Sequence, residues 1–303
     1  MTAPHYRAQV ALLVRILPFL AGEPDFALKG GTAINLFWRD LPRLSVDLDL
    51  TYLPVADRGA SLTAIDTALR RLGAAIGAGV PRSQVDIRPA EDGYVRKLTV
   101  RADGSQVKIE VTPVLRGAVF APERRTVSGK VEDTYGFAEA TLVSFADLFA
   151  GKMVAALDRQ HPRDLFDVRD LLATEGLTRP LMDAFLVYLI SYNRPMAEVL
   201  APNRKPLAEE FNRTFDGMTD QAVTLATLEQ AREDLIGGVH AALTEQDRRF
   251  LLGVKSGAPD WALVGLPQAA ALPAVQWKLR NLGQLSAERR EVLTGRLREV
   301  LGL

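Results

Sequence analysis

Residues 28–52 read LKGGTAINLFWRDLPRLSVDLDLTY and contain the most informative pattern in the chain. A glycine pair, Gly30 and Gly31, opens a helical pattern, and two aspartates, Asp47 and Asp49, follow in a strand pattern. Side chains two residues apart in a strand share a face, so both carboxylates leave one side while the leucines between and after them enter the core. Glycines at a helix start bring backbone amides close to anions. The segment therefore predicts a strand, a tight turn, a helix and a second strand, arranged to hold a nucleoside triphosphate and its magnesium.

Each half of this pattern also has an ordinary interpretation. A Gly-Gly pair is most often a simple turn, and the alternation SVDLDLTY is typical of a half-solvated strand. Two aspartates so close together conflict with the strand around them, because aspartate is disfavoured in strands. Local conflicts of this kind tend to mark functional sites, so the combination favours the functional interpretation.

Length and composition predict an ordinary globular protein of two domains. The chain has 303 residues, of which 48% are hydrophobic and 24% charged. Its 37 basic and 37 acidic residues cancel, so any contact with a phosphate backbone must come from local patches. The candidate patches, each interpreted first as solvated surface, are Arg39 with Arg43, Arg124 with Arg125, and Arg248 with Arg249.

Several kinds of site are excluded by composition. The chain has no cysteine, which excludes disulfides, thiolate zinc sites and a cysteine nucleophile, and its three histidines are too scattered to form a zinc site by spacing. The apolar run near the N terminus is interrupted by Arg15 and Pro18, which favours an amphipathic helix over a signal peptide or a membrane span. We therefore expect a cytoplasmic protein with no membrane partner.

The first 140 residues carry a mixed pattern of helices and strands, which predicts an α+β domain with a mixed β-sheet and flanking helices. The segment ADGS has the composition of a hairpin turn. Helices are expected at 6–20, 32–39 and 62–78, and strands at 26–28, 46–52, 84–88, 94–102 and 105–113.

After Thr141 the hydrophobic period changes to that of helices, which predicts a mostly helical C-terminal domain over residues 141–303. Ser144 and Asp147 have the spacing of a capping box, and Pro162 is suited to the first turn of the next helix. Residues 256–282 are punctuated by Pro and Gly and are expected to form ordered loop and short helix. The further helices are expected at 144–159, 180–192, 205–215, 221–243, 244–254 and 286–302.

The strand QVKIEVTP repeats the alternation of the aspartate strand, with Lys108 and Glu110 on one face. If the two strands are neighbours, Glu110 joins Asp47 and Asp49 as a third carboxylate. Three carboxylates on adjacent strands can hold two magnesium ions. The alternative is that Lys108 and Glu110 form a solvated strand face.

Lys152 lies on a helical stripe that otherwise looks core-facing, so it needs a partner. It can extend to solvent, or it can project into a cleft and neutralise a triphosphate. Asp164 and Asp167 share a face of the next helix and can orient Lys152 or an incoming hydroxyl. Alternatively, they are surface charges that pair with Arg163 or Arg169.

These segments resemble the AbiEii/AbiGii-type nucleotidyltransferase toxins, the toxin half of bacterial abortive-infection toxin–antitoxin pairs within the DNA polymerase β-like nucleotidyltransferase superfamily. The resemblance is carried by LKGGTAINLFWRDLPRLSVDLDL, VKIEVTP and DLFAGKMVAALDRQHPRDLFDVRDLL, and by Asp-Trp, Leu-Pro and Trp-Lys pairs near the C terminus. One departure is a gap between Gly31 and Asp47 that is longer than is common in the superfamily. The longer gap affects the expected shape of the loop and leaves the metal motif unchanged.

The resemblance implies a role for each matching residue. Lys29, Gly30, Gly31 and Thr32 match the motif that grips the phosphates, and Ser45, Asp47 and Asp49 match the Ser-x-Asp-x-Asp metal motif. Glu110 falls where the superfamily has its third acid, which helps to deprotonate the acceptor. Lys152 matches the family lysine that follows Asp-Leu, and Arg163, Asp164 and Asp167 match the Arg-Asp-x-x-Asp motif.

The implied function is a magnesium-dependent nucleotidyltransferase toxin that uses one or two Mg²⁺ ions and transfers NMP from an NTP to an RNA acceptor. The expected acceptor is the 3′ end of tRNA, with growth arrest as the result and a cognate antitoxin as partner. The helical domain is expected to contribute Lys152 and the Arg-Asp-x-x-Asp motif to the cleft. Two alternatives remain: transfer to a small molecule of the antibiotic type, and a catalytically silent nucleotide-binding regulator.

Overall fold

The computed structural model describes residues 2–303, which form two compact units. The first contains the described residues up to Ser144 together with Phe215–Ala222, and the second contains Phe145–Thr214 and Val223–Leu303. The sequence suggested a single division of the chain at residue 140. The return of Phe215–Ala222 to the first unit was not apparent from any local pattern.

The first unit is built on a mixed sheet, as the sequence predicted, and the sheet has seven strands where the sequence indicated five. The strands are β1 (Phe26–Lys29), β2 (Asp47–Tyr52), β3 (Gln84–Pro89), β4 (Val95–Ala102), β5 (Ser105–Val111), β6 (Glu123–Thr126) and β7 (Glu139–Leu142). Their order across the sheet is β3-β4-β5-β2-β1-β7-β6, with parallel pairing between β1 and β7 and between β2 and β5, and antiparallel pairing elsewhere.

Helices of the first unit cover the apolar face of this sheet. Gly73 lies against Ile87, where an added Cβ would approach the Ile87 Cδ1 to 2.9 Å, so the long helix packs closely on β3. Leu48 and Ile109, which point to this face, have no exposed surface. The helices are α1 (Pro4–Ile16), α2 (Gly30–Ala33), α3 (Arg58–Gly79) and α4 (Gly129–Tyr135), with a 3₁₀ turn at Leu17–Gly22 and a π-helical turn at Ile34–Trp38.

The ADGS turn is confirmed, since Asp103 and Gly104 have φ angles of 50° and 76° and form a two-residue hairpin loop between β4 and β5. Three elements were missed, namely β6, α4 and β7. The two strands have four residues each, which is too short for a period of two to be distinctive. Leu142 in β7 nevertheless pairs with Leu28 in β1, in the interior of the sheet.

The second unit is entirely helical in its regular structure, as expected after Thr141. Its core contains large buried side chains such as Phe149, Phe166, Phe185 and Phe250. The helix Met196–Leu200 was not predicted. The segment expected to form ordered loop and short helix contains 3₁₀ turns at Trp261–Leu263 and Pro267–Ala271 and the helix Pro273–Gly283. The helices are α5 (Phe145–Arg159), α6 (Pro162–Thr174), α7 (Arg179–Ser191), α8 (Met196–Leu200), α9 (Ala208–Thr214), α10 (Leu225–Ala242), α11 (Glu245–Ser256), α12 (Pro273–Gly283) and α13 (Ala287–Leu301).

None of the helices in residues 2–303 combines the length and the apolar character needed to span a bilayer.

Candidate functional site

The glycine turn and the aspartate strand are in direct contact. Gly30 follows β1 with a φ of +77°, a conformation that L side chains rarely adopt. A Cβ at Gly30 would lie 2.5 Å from the Asp49 Oδ2 and 3.2 Å from its Cβ, so glycine is required for the two segments to approach. The bend and the acid therefore adjoin, as the sequence predicted.

Asp47 and Asp49 lie on the same side of β2. Both are half-buried, whereas Leu48 and Leu50 have no exposed surface, so the strand alternates between an acidic face and a core face. β2 is an interior strand, paired with β1 on one side and β5 on the other. The neighbours fix its register, and with it the direction in which both carboxylates point.

Thr32 and Ser45 connect the start of the helix to the start of β2. The Thr32 hydroxyl donates to the Asp47 backbone oxygen at 2.5 Å and lies 3.0 Å from the Ser45 hydroxyl. Thr32 has no exposed surface and Ser45 is buried. Their hydroxyls therefore connect the start of the helix to the start of β2, and the phosphate contact expected of Thr32 stays a prediction.

Arg43 is buried beside the glycine turn, which corrects the expectation of a solvated side chain. Only 3% of its surface is exposed, and its Nη1 donates to the Leu44 backbone oxygen. A Cβ at Gly31 would lie 2.8 Å from the Arg43 Nη2 and 2.9 Å from the Ser45 Oγ. Gly31 thus leaves room for a buried cation, a function that the sequence did not indicate.

Lys29 lies on the same sheet face as the acids. It pairs with Asp49 in the register of β1 and β2, and its Nζ donates to the Thr112 Oγ1 at 3.1 Å. Burial lowers the pKa of Lys29, and the charge of Asp49 acts in the opposite direction. Lys29 is therefore a half-buried cation held beside the acid pair.

Glu110 is beside Asp49, because β5 pairs with β2 as the sequence suggested, in the register Asp47 to Lys108 and Asp49 to Glu110. The Glu110 Oε1 forms an ion pair with the Lys97 Nζ at 3.0 Å. Among residues 2–303, no three His, Asp or Glu side chains are grouped closely enough to hold a metal ion. The members of the expected three-carboxylate set occupy adjacent strands, and their binding of a metal stays a prediction.

Within the second unit, Lys152 is buried between two carboxylates. Its Nζ lies 2.7 Å from the Asp164 Oδ1 and 3.1 Å from the Asp167 Oδ2, and all three residues are less than a tenth exposed. Burial alone would raise the pKa of Asp164, but the charges of Lys152 and Arg159 outweigh it and hold that pKa well below its usual range. The interpretation in which Lys152 has acidic partners on the next helix is confirmed, and the interpretation of both acids as surface charges is wrong.

Arg163 lies in the first turn of α6, and the capping residue of this helix was not predicted. The His161 Nδ1 accepts a hydrogen bond from the Arg163 backbone N–H at 3.2 Å, and the other ring nitrogen lies 3.1 Å from the Thr214 Oγ1. Burial and the charge of Arg163 lower the pKa of His161 to about 4. The histidine is therefore a neutral helix cap at ordinary pH.

The remaining sequence candidates have structural contacts. Arg124 forms an ion pair with Glu139, and the Arg125 guanidinium lies over the Trp38 ring. The exposed Arg249 lies 3.8 Å from Glu245. The Arg248 guanidinium donates to the backbone oxygens of Leu243 and His240. In the C-terminal segment, the Lys278 Nζ donates to the backbone oxygens of Tyr192 and Arg194 after the end of α7. Burial and the charge of Lys255 lower the pKa of Lys278 to about 8.

Comparison with known proteins adds two findings. A family model described as nucleotidyl transferase AbiEii toxin, type IV toxin–antitoxin system, matches residues 11–281. The structure is similar to that of MenT4, a nucleotidyltransferase toxin from Mycobacterium tuberculosis H37Rv, with a TM-score of 0.62 and 16% identity over 91% of this chain and 93% of that one. At this identity the likeness shows the fold. No match was found among curated protein sequences.

Proposed function

Since the chain belongs to the AbiEii family of nucleotidyltransferase toxins of type IV toxin–antitoxin systems, we propose that it transfers NMP from an NTP to an RNA hydroxyl. The observation that supports the location of the reaction is the contact between Gly30 and Asp49, which joins a bend suited to phosphates to a strand carrying two carboxylates. The 3′ end of tRNA is the proposed acceptor, by resemblance to the family. The proposed setting is the cytoplasm, and the proposed partner is a cognate antitoxin.

Asp47 and Asp49 are the proposed magnesium ligands. Magnesium at such sites is usually held by one or two carboxylates together with substrate phosphates, so a pair of acids on one strand face fits an ion that arrives with the nucleotide. When bound, magnesium would offset the charge of the triphosphate and activate the attacking hydroxyl. Thr32 and Ser45 support this set by fixing the start of β2, through the hydrogen bond to the Asp47 backbone oxygen.

In the proposed reaction, the acceptor oxygen attacks the α-phosphorus of the NTP, a new phosphoester bond forms, and pyrophosphate leaves. The backbone amides at Gly30 and Gly31 are proposed to hold phosphate oxygens, with Lys29 as the nearby cation. Glu110, next to Asp49 in the sheet, is proposed to accept the proton of the acceptor hydroxyl. The contribution of these groups is mainly positioning and charge stabilisation.

The cluster of Lys152, Asp164 and Asp167 is proposed to contribute to nucleotide binding, together with Arg163. Buried ion pairs lose much hydration energy, and apolar side chains of similar volume often stabilise a core equally well or better. A unit that keeps three charged groups buried and mutually paired is therefore consistent with selection for activity, with Lys152 oriented by the two acids.

The test is transfer of label from each α-³²P nucleoside triphosphate in the presence of magnesium and total RNA. We expect label in RNA for the wild-type protein and its loss in the double variant Asp47→Asn, Asp49→Asn, which keeps side-chain volume and removes both charges. Removal of divalent ions with EDTA is expected to abolish transfer. The matched control is Glu132→Gln, Asp133→Asn, which removes two exposed acids from α4 and is expected to keep full activity.

Three outcomes contradict the proposal in different ways. Label in an added small-molecule acceptor but not in RNA assigns the enzyme to the antibiotic-modifying type. Nucleotide binding without transfer to any acceptor assigns it to the silent regulators. Equal RNA labelling by the wild type and the Asp47, Asp49 double variant removes the acid pair from the reaction.

A further inference from the structure

The acid pair belongs to a larger polar face of the sheet. Paired residues in adjacent strands point the same way. In β5, Lys108 therefore lies beside Asp47, and Glu110 lies beside Asp49. In β4, Thr99 lies beside Lys108, and Lys97 lies beside Glu110. Arg101 and Gln106 continue the face in β4 and β5, and Gln84 and Asp86 continue it in β3. The opposite face packs on α3, so this one is the open side of the sheet.

Two cations on this face have no carboxylate partner within residues 2–303. Lys97 is paired with Glu110 and Arg88 with Asp86, so these charges cancel. Lys108 makes no ion pair or side-chain hydrogen bond, and Arg101 bonds only to the neutral Gln106 Oε1 at 3.1 Å, among the described residues. Both side chains are exposed. The face therefore presents two exposed cations that are not in close ion pairs, on the side of Asp47 that is away from β1.

The spacing of these cations suits the sugar–phosphate backbone of a nucleic acid strand. Neighbouring strands are about 4.8 Å apart, so Lys108 lies one strand away from Asp47. Arg101 is on the next strand, diagonal to Lys108 and about 7–8 Å from it, which is close to the spacing of successive phosphates in an extended strand. The two cations thus lead outward from the acid pair in steps that phosphates can match.

The face ends in a cavity at the β4–β5 hairpin. The cavity has a volume of about 420 Å³ and is lined by Arg82, Gln84, Arg101 and Gln106, together with the turn residues, which include Asp103. The Arg82 guanidinium lies 2.8 Å from the Asp103 carboxylate, and both side chains are exposed to solvent. Its lining carries two guanidinium groups against one carboxylate, so the cavity has a net positive charge that suits a phosphate.

We propose that the open face formed by β3, β4 and β5 binds the phosphate backbone of the RNA acceptor through Lys108 and Arg101, with the cavity at the hairpin as its outer end. This inference rests on the proposed function and assigns the surface that holds the acceptor. The face residues include no aromatic side chain, so bases are not stacked there, and recognition is through charge and independent of sequence.

The experiment measures binding of two unrelated fluorescein-labelled single-stranded RNAs by anisotropy, over a series of salt concentrations, without nucleotide. Each phosphate contact contributes about 0.7 to the slope of log K against log salt for single strands. The double variant Lys108→Gln, Arg101→Gln is therefore expected to lose about 1.4 from the slope and to bind both RNAs about 25-fold more weakly at about 0.1 M salt. Lys130→Gln removes an exposed lysine from α4 and is expected to bind as the wild type does.

A kinetic readout separates binding from structural damage. The double variant is expected to raise KM for RNA, while kcat at saturating RNA and the Kd for NTP stay within about twofold of the wild type, since only ground-state binding is lost. Unchanged RNA affinity and salt slope overturn the inference, as does absence of salt-dependent RNA binding by the wild type. RNA affinity that is unchanged while binding of polyglutamate weakens also overturns it and assigns the face to an acidic protein partner.

The outcomes distinguish this inference from the proposed function. If the wild type labels RNA and the double variant binds RNA normally, the surface is wrong and the function stands. If the double variant loses RNA binding but the wild type labels no RNA, the surface stands and the proposed reaction is wrong.

Discussion

Replacing Gly30 with alanine tests whether the bend and the acid strand act as one unit. At a φ of +77°, an alanine costs about 1–2 kcal/mol because of the contact between its Cβ and the following carbonyl. The new Cβ would also lie 2.5 Å from the Asp49 Oδ2, so the Asp49 side chain must leave its rotamer, at a further cost of about 0.5–1.5 kcal/mol. Together these effects predict a loss of about 1.5–3.5 kcal/mol in the free energy of unfolding.

The matched control is Gly93→Ala. Gly93 has a φ of +84° in the turn between β3 and β4, and a Cβ there meets nothing within 4 Å. It therefore carries the backbone cost of about 1–2 kcal/mol without the clash. Urea unfolding of both variants gives the two costs, and their difference isolates the contact with Asp49.

Activity separates the two variants more strongly than stability does. A displacement of about 1 Å in a positioned group can reduce a rate about 100-fold, so Gly30→Ala is expected to lose nucleotidyl transfer by about that factor under conditions where it is folded. Gly93→Ala is expected to retain wild-type transfer. Equal activity in the two variants would refute the reasoning, since it would mean that the position of Asp49 against the bend does not matter to the reaction.

The remaining predictions concern the second unit. Lys152→Met leaves Asp164 and Asp167 buried without their shared cation, which should cost about 3–5 kcal/mol of unfolding free energy. The triple variant that adds Asp164→Asn and Asp167→Asn should recover most of this loss in urea unfolding but not transfer activity, and recovery of both would make the cluster purely structural. His161 has its pKa lowered from 6.5 to about 4, so below pH 6.5 the unfolded state binds a proton that the native state does not. Stability should therefore fall as the pH drops from 6.5 to about 4, by up to about 3 kcal/mol. His161→Asn keeps a capping side chain and should flatten this part of the pH profile, and an unchanged profile would show that another group is responsible.

The parts of the fold that the sequence predicted are those with a local physical signal. β2 and β5 have alternating side chains, the hairpin loop at Asp103 and Gly104 requires two positive φ angles, and α6 begins at a proline. The missed strands β6 and β7 depend on pairing partners distant in the chain. The pairing of Leu142 with Leu28 spans more than a hundred residues, and four residues carry too little pattern to reveal it.

In the candidate site too, only the part with a local sequence signal was predicted. The position of Asp49 against Gly30 follows from strand alternation and from the freedom of glycine, both of which are visible in the sequence. The burial of Arg43 is not, because it depends on tertiary contacts of its loop. The Leu44 backbone N–H donates to the Met218 oxygen at 2.7 Å, and the Thr219 hydroxyl donates to the Pro42 oxygen at 2.7 Å. These bonds come from Phe215–Ala222, which explains both why the loop is ordered and why this segment belongs to the first unit.

The charge order along the sheet explains how the first unit tolerates clustered acids. Asp49 and Glu110 are direct cross-strand neighbours, and like charges in that position destabilise a sheet. The register places Lys29 on the far side of Asp49 and Lys97 on the far side of Glu110, so the row reads cation, acid, acid, cation across four strands. Each acid thus has an opposite charge on one side and the other acid on the other side. The flanking lysines offset the repulsion while leaving the space between the acids negative, and a divalent cation would relieve what remains. A row arranged only for stability would instead alternate acids and cations throughout.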